Sequence, residues 1–147
     1  MKVGELHHVA VAVPSIAAAL PFYTDALGMT AGEPHDLPGQ AVRAVFLESE
    51  GSRLELIEPL DDASGVARFV AERGRPALHH VCYAVGDLES TLVELASAGV
   101  ELVDRVPRAG LEGRVAFLHP RASGGVLIEL IEPADRPSRR APHTGER

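Results

Sequence analysis

The sequence predicts an α+β fold made of two tandem β-α-β-β-β modules, and three recurrences predict it. Leu6-His7-His8-Val9-Ala10-Val11-Ala12-Val13 returns as Leu78-His79-His80-Val81-Cys82-Tyr83-Ala84-Val85. Leu54-Glu55-Leu56-Ile57-Glu58-Pro59 returns as Ile128-Glu129-Leu130-Ile131-Glu132-Pro133. Between these anchors, Val42-Arg43-Ala44-Val45-Phe46-Leu47 is echoed by Gly113-Arg114-Val115-Ala116-Phe117-Leu118. The copies lie about 72 residues apart for the first motif and about 74 for the second. Solenoid units repeat every 20–50 residues or so. The longer period here points to one module of about 70 residues, duplicated about a pseudo-twofold.

Each module reads alike. Its opening segment alternates and is rich in valine, as a half-buried strand is. In the first module Pro14 and Ser15 end that strand, Ser15 caps a helix over 16–27, and Gly28 stops it. In the second, Gly86 and Asp87 end the strand and Asp87 is the cap. Glu89 and Glu94 follow it, and Gly99 closes the helix. Short strands are expected at about 29–33, 41–48 and 53–58, then at about 101–106, 114–119 and 126–132. Glu50-Gly51-Ser52 reads as a hairpin turn with 122–125 as its counterpart, and 63–73 as a helix joining the modules. Residues 1–133 are thus expected to form a single domain, with modules at about 5–60 and 77–133. The stretch 134–147, rich in proline, arginine and polar residues, is expected to be a weakly ordered tail.

Composition narrows the function classes. The chain has 147 residues, of which 46% are hydrophobic, enough to bury a core. A formal net charge of −7 argues against a nucleic-acid partner, which needs clustered positive charge. No apolar run is long enough to span a bilayer, so no membrane partner is expected. Met1 to Glu5 leads straight into a strand-like segment, without the regions of a signal peptide. Cys82 is the sole cysteine and excludes an intrachain disulfide. A cytoplasmic location is the expectation.

The opening strand has two unlike faces. Val9, Val11 and Val13 lie on one; His8, Ala10 and Ala12 lie on the other. The second copy separates Val81, Tyr83 and Val85 from His80, Cys82 and Ala84 in the same way. The small side chains leave open volume, and one histidine points into it in both copies. Glu55 and Glu129 interrupt otherwise apolar runs, where a lone carboxylate is costly to bury. If the modules join side by side, His8, Glu55, His80 and Glu129 converge on one divalent-metal site. This mixed nitrogen and oxygen set suits Co²⁺, Mn²⁺, Ni²⁺, Mg²⁺ or Zn²⁺. Strict alternation places His7 and His79 on the opposite face, as structural residues. Glu58 and Glu132 are expected to be solvent-exposed, and Cys82 to be a small packing residue.

These residues, with the run PRAGLEGRVAFLHPRASGGVLIEL from Pro107 to Leu130, resemble the vicinal oxygen chelate superfamily, which includes glyoxalase I and extradiol dioxygenases. Within it the chain is most similar to the methylmalonyl-CoA epimerase family, over about 5–133. The resemblance implies a partly open, barrel-like mixed sheet, a homodimer and a small-molecule acyl-CoA substrate. It places the metal ligands on His8, Glu55, His80 and Glu129; the position of Glu55 is Gln in some members. It implies epimerisation of (2R)- and (2S)-methylmalonyl-CoA by proton transfer through a metal-stabilised enolate, with Glu129 as one catalytic acid/base.

Two departures stand out. Ala44 occupies the place where some members carry a second acid/base glutamate, and the loop 34–40 lacks their acidic-Gln-Gly pattern. Glu48, His119 and a metal-bound water are the remaining candidates for the second group. Arg108, Arg114 and Arg121 are candidates for the CoA phosphates. Competing readings are a glyoxalase-type lyase or isomerase acting on a thiol adduct, and a metal-free ligand-binding or resistance protein. An extradiol dioxygenase fits less well, because a fourth protein ligand crowds its iron site. Fold alone does not choose among them.

Overall fold

The computed structural model describes residues 1–134, so the expected tail lies outside the described residues except for Ala134. The first half runs β1 (Leu6–Ala12), α1 (Ile16–Pro21), β2 (Thr30–Ala31), β3 (His35–Leu37), β4 (Val42–Ser49) and β5 (Ser52–Pro59). Helix α2 (Gly65–Arg73) makes the connection. The second half runs β6 (Ala77–Ala84), α3 (Leu88–Ser97), β7 (Arg108–Ala109), β8 (Gly113–Leu118) and β9 (Ile128–Pro133).

The nine strands of the described residues belong to one curled, half-barrel sheet in the order β2-β4-β5-β1-β6-β9-β8-β7, with β3 added to β4. Strands β1 and β6 pair antiparallel in the middle, with Val9 opposite Val81. Outward from this seam, β5 runs parallel to β1 and β9 parallel to β6. Each half therefore repeats the other about an axis through the seam.

Alternation along the strands sorts the two faces. On the outer face, Val11, Val13, Ile16, Val45, Leu47 and Leu56 pack with Ala19 and Leu20 of α1. Val85, Leu88, Leu92, Ala116 and Leu130 form the equivalent cluster under α3. Removing a fully buried leucine such as Leu56 from such a cluster costs about 2–5 kcal/mol. The outer valines and leucines thus carry the stability. The inner face is left to His8, Ala10, Glu55 and their counterparts.

The helix caps are those the sequence predicts. The Ser15 hydroxyl accepts from the Ala18 amide, and the Asp87 carboxylate from the Ser90 amide. Glu58 and Glu132 are not the exposed residues expected. Each reaches from the end of its strand to the first turn of a helix, accepting from the Ile16 and Leu88 amides respectively. Each also holds an arginine of the neighbouring strand, Arg43 or Arg114. The anionic carboxylate at the positive end of a helix stabilises both.

Other differences have local causes. The expected helix 16–27 is α-helical only to Pro21, which lacks the amide needed for the ladder. The chain continues as a wider π turn over Phe22–Ala26. The strand expected over 29–33 shrinks to β2. That expected over 101–106 is absent apart from a single bridge between Leu102 and Leu118. There the Asp104 carboxylate takes the Phe117 amide, competing with a regular ladder. The two-residue β7 forms beyond Pro107 instead. The hairpin turn holds: Glu50 and Gly51 have φ of 49° and 84°, the type I′ pattern.

Candidate metal centre

Three registers bring four side chains together at the seam. On β1 and β5, Ala10 lies beside Glu55. On β6 and β9, Cys82 lies beside Glu129, and across the seam Cys82 faces His8 while His80 faces Ala10. The small Ala10 and Cys82 leave room between the longer chains. His8, Glu55, His80 and Glu129 are all buried, none more than 8% exposed.

The Nε2 atoms of His8 and His80 stand 3.4 Å apart. Glu129 Oε1 lies 3.2 Å from the first and 3.5 Å from the second. Glu55 Oε1 is 3.6 Å from each. Donors bound at about 2.1 Å to one cation stand roughly 3.0–3.4 Å apart, so the spacing and the donor set fit a divalent ion. His8, His80 and Glu129 form the tightest trio. Edge-on rings of Phe46 against His8 (5.0 Å) and Phe117 against His80 (5.2 Å) wall the two halves symmetrically.

Burial sets the electrostatics. It lifts the Glu55 carboxyl to about 8, with the charge on His8 opposing and that on Glu129 adding. Burial acts on Glu129 as well, but hydrogen bonds from His8 and His80 outweigh it and carry that group below the ordinary carboxylate range. The Cys82 thiol, buried beside Glu129, is pushed up and is a packing residue, as expected.

His7 and His79 correct the sequence reading. The pairing of β1 with β6 slips by one residue between Leu6 and His8, and again where Ala10 faces His80 but Val11 faces Leu78. His7 and His79 are the extra residues of two β-bulges, which re-aim side chains that alternation would send outward. The Nδ1 of each lies 2.8 Å from the Nδ1 of the histidine that follows it. The doublet His-His, present in both copies, was the signal for them.

A cavity of about 220 Å³ opens beside Glu55, His79 and His80, with Gln40, Arg108 and apolar Leu127 also in its wall. Of the three arginines named from the sequence, Arg108 reaches it. Arg114 pairs with Glu89 and Glu132, and Arg121 with Glu101, on the surface. Ala44 is completely buried on the inner face, clustered with Ala12, Val42 and Ile57. Glu48 pairs with Arg53 at the end of its strand, and His119 caps the turn Pro120–Ser123.

The family model of the glyoxalase/bleomycin resistance protein/dioxygenase superfamily matches residues 7–118. The chain belongs to this superfamily. The match takes in His8, Glu55 and His80 and ends short of Glu129. Within the superfamily, the chain is 37% identical over 130 residues to the mitochondrial methylmalonyl-CoA epimerase of Bos taurus, covering 88% of this chain and 74% of that one. It is 36% identical over 130 residues to the ethylmalonyl-CoA/methylmalonyl-CoA epimerase of Cereibacter sphaeroides, covering 87% and 97%. The crystal structure of methylmalonyl-CoA epimerase from Mycobacterium tuberculosis superposes with a TM-score of 0.85 at 37% identity, covering 90% of each chain.

Proposed function

We propose that this superfamily member is a metal-dependent epimerase that interconverts (2R)- and (2S)-methylmalonyl-CoA by moving the proton at C2. The observation that supports it is the buried set of two imidazoles and two carboxylates, opening onto a cavity in a chain whose relatives are named as such epimerases. His8, Glu55, His80 and Glu129 are the assigned ligands. A divalent cation held by them would supply the positive charge that a carbanion alpha to a thioester needs.

The other contributions come from the chain itself. Glu129 is assigned as one of two acid/base groups, exchanging the C2 proton on one face at a carboxylate oxygen while a second group exchanges it on the other. Ala44 presents only a methyl group, so the second proton-transfer group is not at that position. Phe46 and Phe117 exclude water from the histidine edges. Arg108 lies in the cavity wall, its guanidinium fixed by Asp104 and by the Gly39 carbonyl, where it can face an anionic acyl-CoA. A cytoplasmic homodimer completes the proposal.

The test is solvent-deuterium incorporation at C2 of each epimer, using Co²⁺-loaded protein with His80→Ala as control. Exchange with inversion, lost in the control, is the expected result. No exchange from either epimer in protein shown to hold metal would overturn the assignment.

A further inference from the structure

We infer that His7 and His79 are positioning residues for the metal centre: each accepts the Nδ1 proton of the ligand histidine that follows it and so commits that ligand's Nε2 to the cation. The inference rests on the metal-site reading above and deepens it.

A neutral imidazole has one donor and one acceptor nitrogen. The Nε2 atoms of His8 and His80 face each other and the two carboxylates, so the lone pair needed for a cation must be on Nε2. A cation there takes the place of the Nε2 protons otherwise shared with Glu129, and each ring's remaining proton is on Nδ1. In both halves that Nδ1 meets another imidazole Nδ1 at 2.8 Å, which must be the acceptor. In regular strands adjacent side chains point to opposite faces, and this contact cannot form. The extra residue at each bulge makes it possible, and the same device occurs on both sides of the axis. The partner rings are themselves braced, His7 edge-on to Phe46 and His79 edge-on to Phe69. Metal-binding histidines are usually oriented by a carboxylate or a carbonyl. A neutral imidazole does the same work here without adding negative charge to a site that already holds two carboxylates.

Two measurements test this at pH 8. Nitrogen-15 spectra of the protein loaded with diamagnetic Zn²⁺ report the tautomers of the partner rings His7 and His79. Chelator competition with Co²⁺ then reports affinity for His7→Leu, His79→Leu, His7→Asn and His79→Asn. In the Zn²⁺-loaded native protein His7 and His79 are expected as Nε2–H tautomers, with Nδ1 unprotonated and accepting. Each leucine variant is expected to lose about 10–100-fold in affinity, and each asparagine, whose carbonyl accepts the same N–H, to recover most of it. Nδ1–H tautomers at His7 and His79 in a native protein that binds the metal would overturn the inference alone. So would leucine variants that bind as tightly as native. A native protein that binds no Co²⁺ would sink the metal reading together with it. Should a leucine variant fail to fold, the native tautomers still decide.

Discussion

At position 44 a methyl group lies in the inner-face cluster with Ala12, Val42 and Ile57, beside residues of α2 such as Val66 and Phe69. A carboxylate introduced there would be buried without a partner, which costs several kcal/mol unless it stays protonated. Ala44→Glu is therefore expected to destabilise the protein by about 2–4 kcal/mol, read as a shift in the denaturation midpoint. An unchanged midpoint would mean that the cluster has room for a second acid/base group. Cys82, fully buried and with its thiol pushed up, is expected to resist iodoacetamide in the native state and to react once the chain is unfolded. Mass spectrometry distinguishes the two. Residues of this kind were legible in the sequence to the extent that alternation holds. His8, Glu55, His80 and Glu129 obey it, and the fold brings their side chains together. His7 and His79 were assigned to the wrong face, because a bulge leaves no mark in a period-two pattern.

Among the elements, the carboxylates of Glu58 and Glu132 are clamps linking strand ends to helix starts. Glu132→Ala frees the Leu88 amide and leaves the Arg114 guanidinium to Glu89 alone, and is expected to cost about 1 kcal/mol in urea denaturation without changing metal uptake. A loss of metal uptake would show that the clamp reaches the site. Gly113 marks a place where the duplication is not exact. It has φ of 152°, and a Cβ there would run into the backbone carbonyl of Glu132. The equivalent Val42 bears its side chain without difficulty and is buried. Gly113→Ala is expected to weaken the pairing of β8 with β9, seen as faster amide exchange in both strands. Strong strands such as β4 and β5 were readable from their apolar periodicity and turn chemistry. The short β2 was read too long, and β3 and β7 were not read, since a strand of two or three residues owes its existence to the neighbour it pairs with.

For the molecule as a whole, acidity and metal content are linked. The folded metal-free chain holds a proton on Glu55 up to about pH 8, whereas its ordinary value is 4.5. Stability from this group is full below the ordinary value and is lost as pH rises through about 8. His79, lowered by burial from 6.5 to about 4, works in the opposite sense and only at lower pH. Of these two, Glu55 alone still titrates above 6.5. The melting temperature of chelator-treated protein is thus expected to fall from pH 6.5 to 8, and Co²⁺ to restore most at the upper end. A melting temperature that rises over this interval without metal would contradict the placement of Glu55. The seam between β1 and β6 has a different consequence. Each half supplies one histidine and one glutamate, so neither piece owns the centre, yet the two halves meet chiefly through that single antiparallel pair. Cleavage at Gly74, beyond α2, would leave two fragments that complement each other without a peptide link. Mixed, they should chelate Co²⁺; apart, they should not. By the same symmetry, two identical copies of an unduplicated ancestor would have had all four donors between them before any gene fusion joined the halves.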